Sequence, residues 1–326
     1  MELRFRSTQV EFNTRQILYR SCDNSGLPEI CRGNFNPQMS MMSAIQLKEN
    51  LVTQPQSSES VATLARALEC LESGISMPIT GSETVDWSER CVEVPWAASL
   101  LSKPGRLLDV GWSMSPPEWL GVLLAAQRRG ADLVGIDIID PERVRTRYPA
   151  DLVDQVFAVP VRVENVLEAQ ADGELFDTMT CISTLEHIGF DVASAPEQQN
   201  SVFVRATTAE SADTERDPNT DQLFLGAAAR FLKPGGSLLV SVPAGKGGPI
   251  LHQDSLGFFT HQYEYDPVSW KALISDPSFA LESAAYFRVD ADSGWQQVAS
   301  CEDLEDQTSV LKPFATGCAM AHLVRK

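Results

Sequence analysis

The chain has 326 residues and a formal net charge of −18, with 26 Lys and Arg against 44 Asp and Glu. This balance argues against a nucleic-acid partner, which needs clustered Lys and Arg. The lack of any apolar run near about 18 residues argues against a membrane partner, and the polar start, residues 1–6, reads unlike a secretion signal.

Residues 1–57 carry no sustained period and read as an irregular arm. Val61, Leu64, Ala65, Leu68 and Leu71 then recur at helical spacing, with Ser57 or Ser58 to cap and Gly74 to stop, which predicts a helix over 58–73. Residues 77–87 are loop-like. Pro95 suits a first helical turn, so a second helix is expected through Leu101, broken by residues 103–105. A strand at 106–110, a helix after Pro117, a strand at 133–138 and a short helix near 141–147 follow. The runs 156–163 and 176–182 read as the third and fourth strands. Residues 191–221 hold seven acids and are too long and polar for a simple connection, so they read as an acidic, lid-like insertion. A helix over 223–232, a Lys-Pro-Gly-Gly stop at 233–236 and a fifth strand at 237–242 come next. A Gly-rich loop at 244–248, a helix at 267–274 and closing strands at 281–289 and 318–324 complete the chain.

Strands alternating with helices predict an α/β fold, a Rossmann-like seven-stranded mostly parallel sheet with helices on both faces. Residues 86–326 would form this domain. Residues 1–85 would be an accessory arm, mainly helical or irregular, that caps the acceptor site or mediates a homodimer. The seven cysteines, at 22, 31, 70, 91, 181, 301 and 318, form no Cys-x-x-Cys pair. They read as reduced thiols of a cytoplasmic protein, and no metal site is expected.

The most informative stretch is 107–115, Leu-Leu-Asp-Val-Gly-Trp-Ser-Met-Ser, followed by Val-Gly-Ile-Asp at 134–137. An apolar run ending in Asp-x-Gly, a helix, and a second run ending in an acid make a unit that holds a nucleoside at the strand ends. Gly111 lets backbone approach the ligand, and Asp109 would anchor the turn or an ammonium. Asp137 can take both hydroxyls of a ribose through charge-assisted bonds, with Ile138 against the base. The Gly-x-Gly-x-x-Gly of a dinucleotide site is absent, because Ser113 and Ser115 stand where it wants glycine. That turns the expectation from NAD to S-adenosylmethionine. Asn165, with Val166, ends the third strand where a polar side chain would meet the adenine amine.

Ser183, Glu186 and His187 follow the fourth strand and are expected beside that pocket. His187 is the first candidate for a general base, with His252, Asp254 and His261 as rivals. Glu186, Asp191 and Tyr263 are candidate contacts to the substrate. The acids at 191–221 and 290–306 form either a solubilising surface or a rim that attracts a polycation.

These motifs, with Phe-Asp-Thr-Met-Thr-Cys-Ile-Ser-Thr-Leu-Glu-His-Ile-Gly at 176–189 and Leu-Lys-Pro-Gly-Gly at 232–236, resemble the class I S-adenosylmethionine-dependent methyltransferases over about 85–325. The lead-in at 89–96 and the tail at 261–265 look like a subgroup acting on sugars in polysaccharide or antibiotic pathways. With the acidic balance, the chain looks most like an aminoglycoside-tailoring N-methyltransferase of the gentamicin type. The resemblance implies methylation of an amino group on a cationic sugar in secondary metabolism. O-methylation of a sugar or polyketide hydroxyl, and a non-catalytic interaction protein retaining the fold, are the alternatives.

Overall fold

Neighbouring residues of the central strands bury themselves in two separate cores, one on either side of the main sheet. A computed structural model describes residues 57–102, 105–171, 173, 175–190, 216–253, 259–312 and 314–326. The strands are β1 (Arg106–Val110), β2 (Asp132–Asp137), β3 (Val161–Val163), β4 (Phe176–Ile182) and β5 (Leu232–Pro243). They continue as β6 (Gly248–Gln253), β7 (Phe259–Glu264), β8 (Phe279–Asp290), β9 (Gly294–Val298) and β10 (Gly317–Arg325). Eight of them form one sheet in the order β3-β2-β1-β4-β5-β10-β8-β9, and β6 pairs with β7 in a separate hairpin. The pairs from β3 to β5 are parallel, whereas β10 runs antiparallel to both β5 and β8. The expected seven-stranded α/β sheet is therefore present, extended by β9 and supplemented by the hairpin.

The helices are α1 (Ser58–Ser73), α2 (Arg90–Leu100), α3 (Pro117–Arg128), α4 (Val153–Ala158), α5 (Thr220–Phe231) and α6 (Pro267–Ile274). Helices α1 to α3 pack with Leu107, Leu133 and Met320 in one core. Helices α5 and α6 pack with Leu108, Val110 and Leu323 in the other. Neighbours such as Leu107 and Leu108 go to opposite faces, as the two-residue period of a strand requires.

Helix α1 has the expected bounds. Ser57 Oγ accepts the Ser60 N–H at 3.1 Å, and Gly74 ends the helix with a φ of 68°, where a side chain is costly. Helix α2 begins five residues before Pro95, which the sequence reading had placed in the first turn. An interior proline leaves the carbonyl four residues back without its N–H. Here that carbonyl, of Cys91, accepts the Ile79 N–H at 3.0 Å, so the loop before α2 repairs the gap. The expected strand over 156–163 is also corrected: α4 covers its first part and only Val161–Val163 pairs with β2. Val156 and Val159 are buried against the α1–α3 core, and a short apolar run serves either structure.

The β1–α3 turn rests on a size match. Trp112 is fully buried, and a Cβ on Gly135 of β2 would lie 2.6 Å from its Cγ. Gly135→Ala must then displace a rigid indole. We expect a loss of roughly 1–3 kcal/mol in urea unfolding, as for overpacked cores, and a smaller loss in a Trp112→Leu background. Equal losses in both backgrounds would remove the contact as the cause.

Candidate active site

In an open parallel sheet the ligand crevice lies at the carboxyl ends of strands flanking the point where strand order reverses. Here that point lies between β1 and β4, which are neighbours although β2 and β3 separate them in sequence. Asp109, opposite Thr180 in the β1–β4 register, turns towards α3. Its Oδ1 accepts the Trp119 indole N–H at 3.0 Å and the Thr180 hydroxyl at 2.7 Å. Its Oδ2 is buried with no partner among the described residues, and burial pushes its pKa up to about 7. Gly111 follows with a φ of 88°, and a Cβ there would lie 2.5 Å from Thr184 Oγ1. Only glycine fits between the β1 and β4 ends.

Asp137 is held by its own chain. Ser113 N–H donates to Oδ2 and Ile139 N–H to Oδ1, both at 2.9 Å. Ser113 Oγ in turn donates to the Ile139 carbonyl at 2.6 Å, and the Tyr148 hydroxyl donates to the Ser113 carbonyl at 3.1 Å. The serine in place of a second glycine thus ties the β1 turn to the end of β2. Each carboxylate oxygen keeps a further lone pair, and burial raises the Asp137 pKa to about 6. Ile138 beside it is 63% exposed, whereas Ile139 is core. Asn165 accepts the Leu167 N–H at 3.1 Å and caps its own turn. Val166 is buried in the α5–α6 core.

The turn after β4 carries Ser183, Glu186 and His187. Ser183 is left-handed, with a φ of 48°, a rare conformation for a residue with a side chain. Its Oγ donates to Glu186 Oε1 at 2.8 Å, and His187 Nε2 lies 3.8 Å from that oxygen. Glu186 is 1% exposed, its Oε2 has no described partner, and burial lifts its pKa to about 7. His187 Nδ1 lies 3.0 Å from the His261 carbonyl. A carbonyl only accepts, so Nδ1 carries the hydrogen and Nε2 is the basic nitrogen of the neutral ring. Burial lowers the His187 pKa and keeps the ring neutral. His261 thus enters through its backbone, and its ring stacks at 5.7 Å from Phe190.

Arg216, buried before α5, fastens this turn. It donates to the carbonyls of Leu185 at 3.1 Å and Ile188 at 2.9 Å, to Asp221 at 2.8 Å and to the Tyr265 hydroxyl at 3.0 Å. Its guanidinium lies 4.6 Å from the centroid of the Tyr263 ring, so Tyr263 is part of this clamp. Asp191 and Asp254 lie outside the described residues, as does the side chain of His252, a β6 residue.

Sequence reasoning missed the contribution of α2. Glu89, Arg90 and Glu93 sit near the β4 and β5 ends, where Arg90 bonds Glu93 and Glu93 accepts the Ser241 hydroxyl at 2.7 Å. Glu89 accepts the Ala315 N–H at 3.0 Å, and burial raises its pKa to about 7. The available signal was Glu93 inside the apolar run Cys91, Val92, Val94, Trp96, with Glu89 and Arg90 just before it, since burying charge is costly unless it is paired. The acids at 290–306 are largely local: Asp290 and Asp303 cap turns, and Glu302 pairs with Lys271. Among the described residues, no group of three His, Cys, Asp or Glu is arranged to hold a metal. No described helix is long and apolar enough to cross a membrane. The five described cysteines are free and buried.

No protein-family model matches the chain, and no curated protein matches its sequence. Several solved structures overlap it. An S-adenosylmethionine-dependent methyltransferase from Methanosarcina mazei shares 13% identity, with 68% of this chain and 92% of that one covered, at a TM-score of 0.43. The glycopeptide N-methyltransferase MtfA, complexed with S-adenosylhomocysteine, shares 10% identity over 71% and 87%, at a TM-score of 0.42. The 1,6-didemethyltoxoflavin N1-methyltransferase of Burkholderia thailandensis shares 13% identity over 84% and 93%, at 0.39. These are partial likenesses, and the chemistry of this chain is carried by its own residues.

The raised pKa values set a direction for stability. Asp109, Glu89 and Glu186 titrate near 7 in the folded chain against 3.8 or 4.5 ordinarily. Between those limits the folded state binds more protons, so these groups cost stability as pH rises through the window. We expect a higher Tm at about pH 5.5 than at about pH 8, and a smaller difference in Glu186→Gln. An unchanged pH slope in that variant would contradict the assignment.

Proposed function

We propose that the chain is an S-adenosylmethionine-dependent methyltransferase acting on an amino group of a small cationic acceptor, an aminosugar in the reading its sequence favours. One observation carries this most: His187, neutral and with its basic nitrogen fixed as Nε2, stands beside the buried carboxylate of Glu186 at the end of β4. That end adjoins the β1 turn of Asp109 and Gly111.

The residues present fit the cofactor. Asp109 Oδ2 is a buried acceptor with no described partner, suited to an ammonium, and Gly111 leaves no side chain between turn and ligand. Asp109, Gly111, Asp137, Ile138 and Asn165 would hold it, with Ser113 bracing Asp137 from behind and Asp137 taking the ribose hydroxyls through its remaining lone pairs. When bound, S-adenosylmethionine supplies an electrophilic methyl group.

The chain's own work is positioning, charge and proton movement. An ammonium has no lone pair, so the acceptor must lose a proton before it reacts. His187 Nε2 takes that proton, and Glu186 stabilises the resulting imidazolium 3.8 Å away. Glu186 Oε2 is a second buried acceptor for the substrate's cationic groups. The Arg216 clamp keeps both side chains on one turn.

The test is a mass-spectrometric screen of methyl transfer to aminoglycosides and neutral glycosides. We expect methylation of amines, a fall of about 100-fold or more in kcat for His187→Ala near neutral pH, and an acceptor KM that rises with salt. Methylation confined to hydroxyl groups would reassign the acceptor atom. Wild-type kcat in His187→Ala would remove it as the base, and a salt-independent KM would remove the cationic acceptor.

A further inference from the structure

The mechanism above leaves one buried network unused. Glu93 lies fully buried on α2 among apolar neighbours, where a carboxylate is costly unless every lone pair has work. Its Oε1 accepts from Arg90 and its Oε2 accepts the Ser241 hydroxyl at 2.7 Å, across 148 residues of sequence. Ser241 is itself fully buried in β5, opposite Ile182 in the β4–β5 register. It therefore sits beside the first residue beyond β4, which is Ser183.

A serine hydroxyl has one hydrogen and two lone pairs. Glu93, an acceptor when ionised, claims the hydrogen of Ser241. The oxygen can then present only lone pairs to its other neighbour, and it accepts the Ser183 N–H at 3.0 Å. The Ser241 carbonyl takes the same N–H at 3.1 Å. These bonds hold Ser183 in the left-handed conformation, with a φ of 48°, that β-carbon sterics disfavour. In that conformation Ser183 Oγ reaches Glu186 Oε1 at 2.8 Å, the oxygen that lies 3.8 Å from His187 Nε2.

We propose that Glu93 and Ser241 are positioning residues that set Ser183 in its left-handed conformation and, through it, fix Glu186 against His187. The inference rests on the functional reading above, because it assigns the network to the candidate base. The competing account is that the same bonds merely dock α2 on the sheet. The two differ in what His187 feels. Charged and titratable groups beside it are Glu186 on its own turn, Arg90 on α2 and His261 on β7, and around its turn lie Glu93 on α2, Arg216 and Asp221 by α5, and Tyr263 and Tyr265 at the end of β7. Ser241→Ala changes none of these charges. It can shift the His187 titration only by moving Glu186, whereas Glu93→Gln also alters the pairing of Arg90, whose charge acts on His187 directly.

The experiment is an NMR titration of the His187 ring proton in the full chain, assigned among four histidines by loss of the signal in His187→Gln. Positioning predicts that Ser241→Ala moves the His187 midpoint in the same direction and by the same amount as Glu186→Gln, because either change takes the Glu186 carboxyl group away from Nε2. It also predicts that the double variant Ser241→Ala with Glu186→Gln shows no further shift, since both act through one group. Ser241→Thr, which keeps the hydroxyl, restores the wild-type midpoint. Should Glu93→Gln fail to fold, Ser241→Ala carries the test, since it deletes a single hydroxyl. An unchanged midpoint in Ser241→Ala with a lowered Tm, or shifts that simply add in the double variant, would overturn the proposal. This readout needs no turnover: a wild-type chain that methylates nothing sinks the functional reading, and the titration still decides the network.

Discussion

A buried carboxylate needs donors, and this requirement organises the carboxyl ends of β1, β2 and β4. Asp109 is held by an indole and a hydroxyl, Asp137 by two backbone amides, and Glu186 by the Ser183 hydroxyl. The bonds of Ser113 to Asp137 and of Trp119 and Thr180 to Asp109 join different elements, whereas those of Ile139 to Asp137 and Ser183 to Glu186 shape single turns. Asp137 fixes the β1 turn, Asp109 joins β1 to α3 and β4, and Glu186 shapes the turn after β4. Two of these acids also keep an oxygen with no described partner.

Regular structure with local causes was legible in the sequence. The bounds of α1 followed from Ser57, the spacing of Leu64, Leu68 and Leu71, and Gly74, because caps and periodicity act within a few residues. The core strands β1, β2, β4 and β5, and the acids that end the first two, were visible for the same reason. Where local signals are ambiguous, distant partners decided. Pro95 sits inside α2 because Ile79 supplies the donor it leaves unmatched. Val156 became helical because it packs under α1–α3 rather than pairing with β2.

The candidate site was legible in part. Asp109, Gly111, Asp137, Glu186 and His187 stand at the ends of the strands that the sequence placed them on. Their partners were not legible: Trp119, Thr180, Ser241, Glu93 and Arg216 lie on other elements, and nothing in the spacing of a serine in β5 shows that it will meet a glutamate on α2. The contact of Tyr263 with the Arg216 guanidinium was likewise not visible in the sequence. The place of Ser113 is the clearest gain from structure. The serine that excluded a dinucleotide turn also supplies the hydroxyl and amide that bind the β1 turn to β2.

Stability and chemistry are linked here. Burial lifts the carboxyl groups of Asp109, Glu89 and Glu186 to about 7, so their charged forms cost stability at neutral pH. The central claim is that these strand ends bind S-adenosylmethionine. Titration calorimetry of the wild-type chain and Asp109→Asn, with S-adenosylmethionine and S-adenosylhomocysteine, tests it most directly. The account predicts saturable binding of both ligands to the wild type and at least about tenfold weaker binding to Asp109→Asn, which loses a charge-assisted contact. No binding of either ligand to the wild-type chain would contradict it.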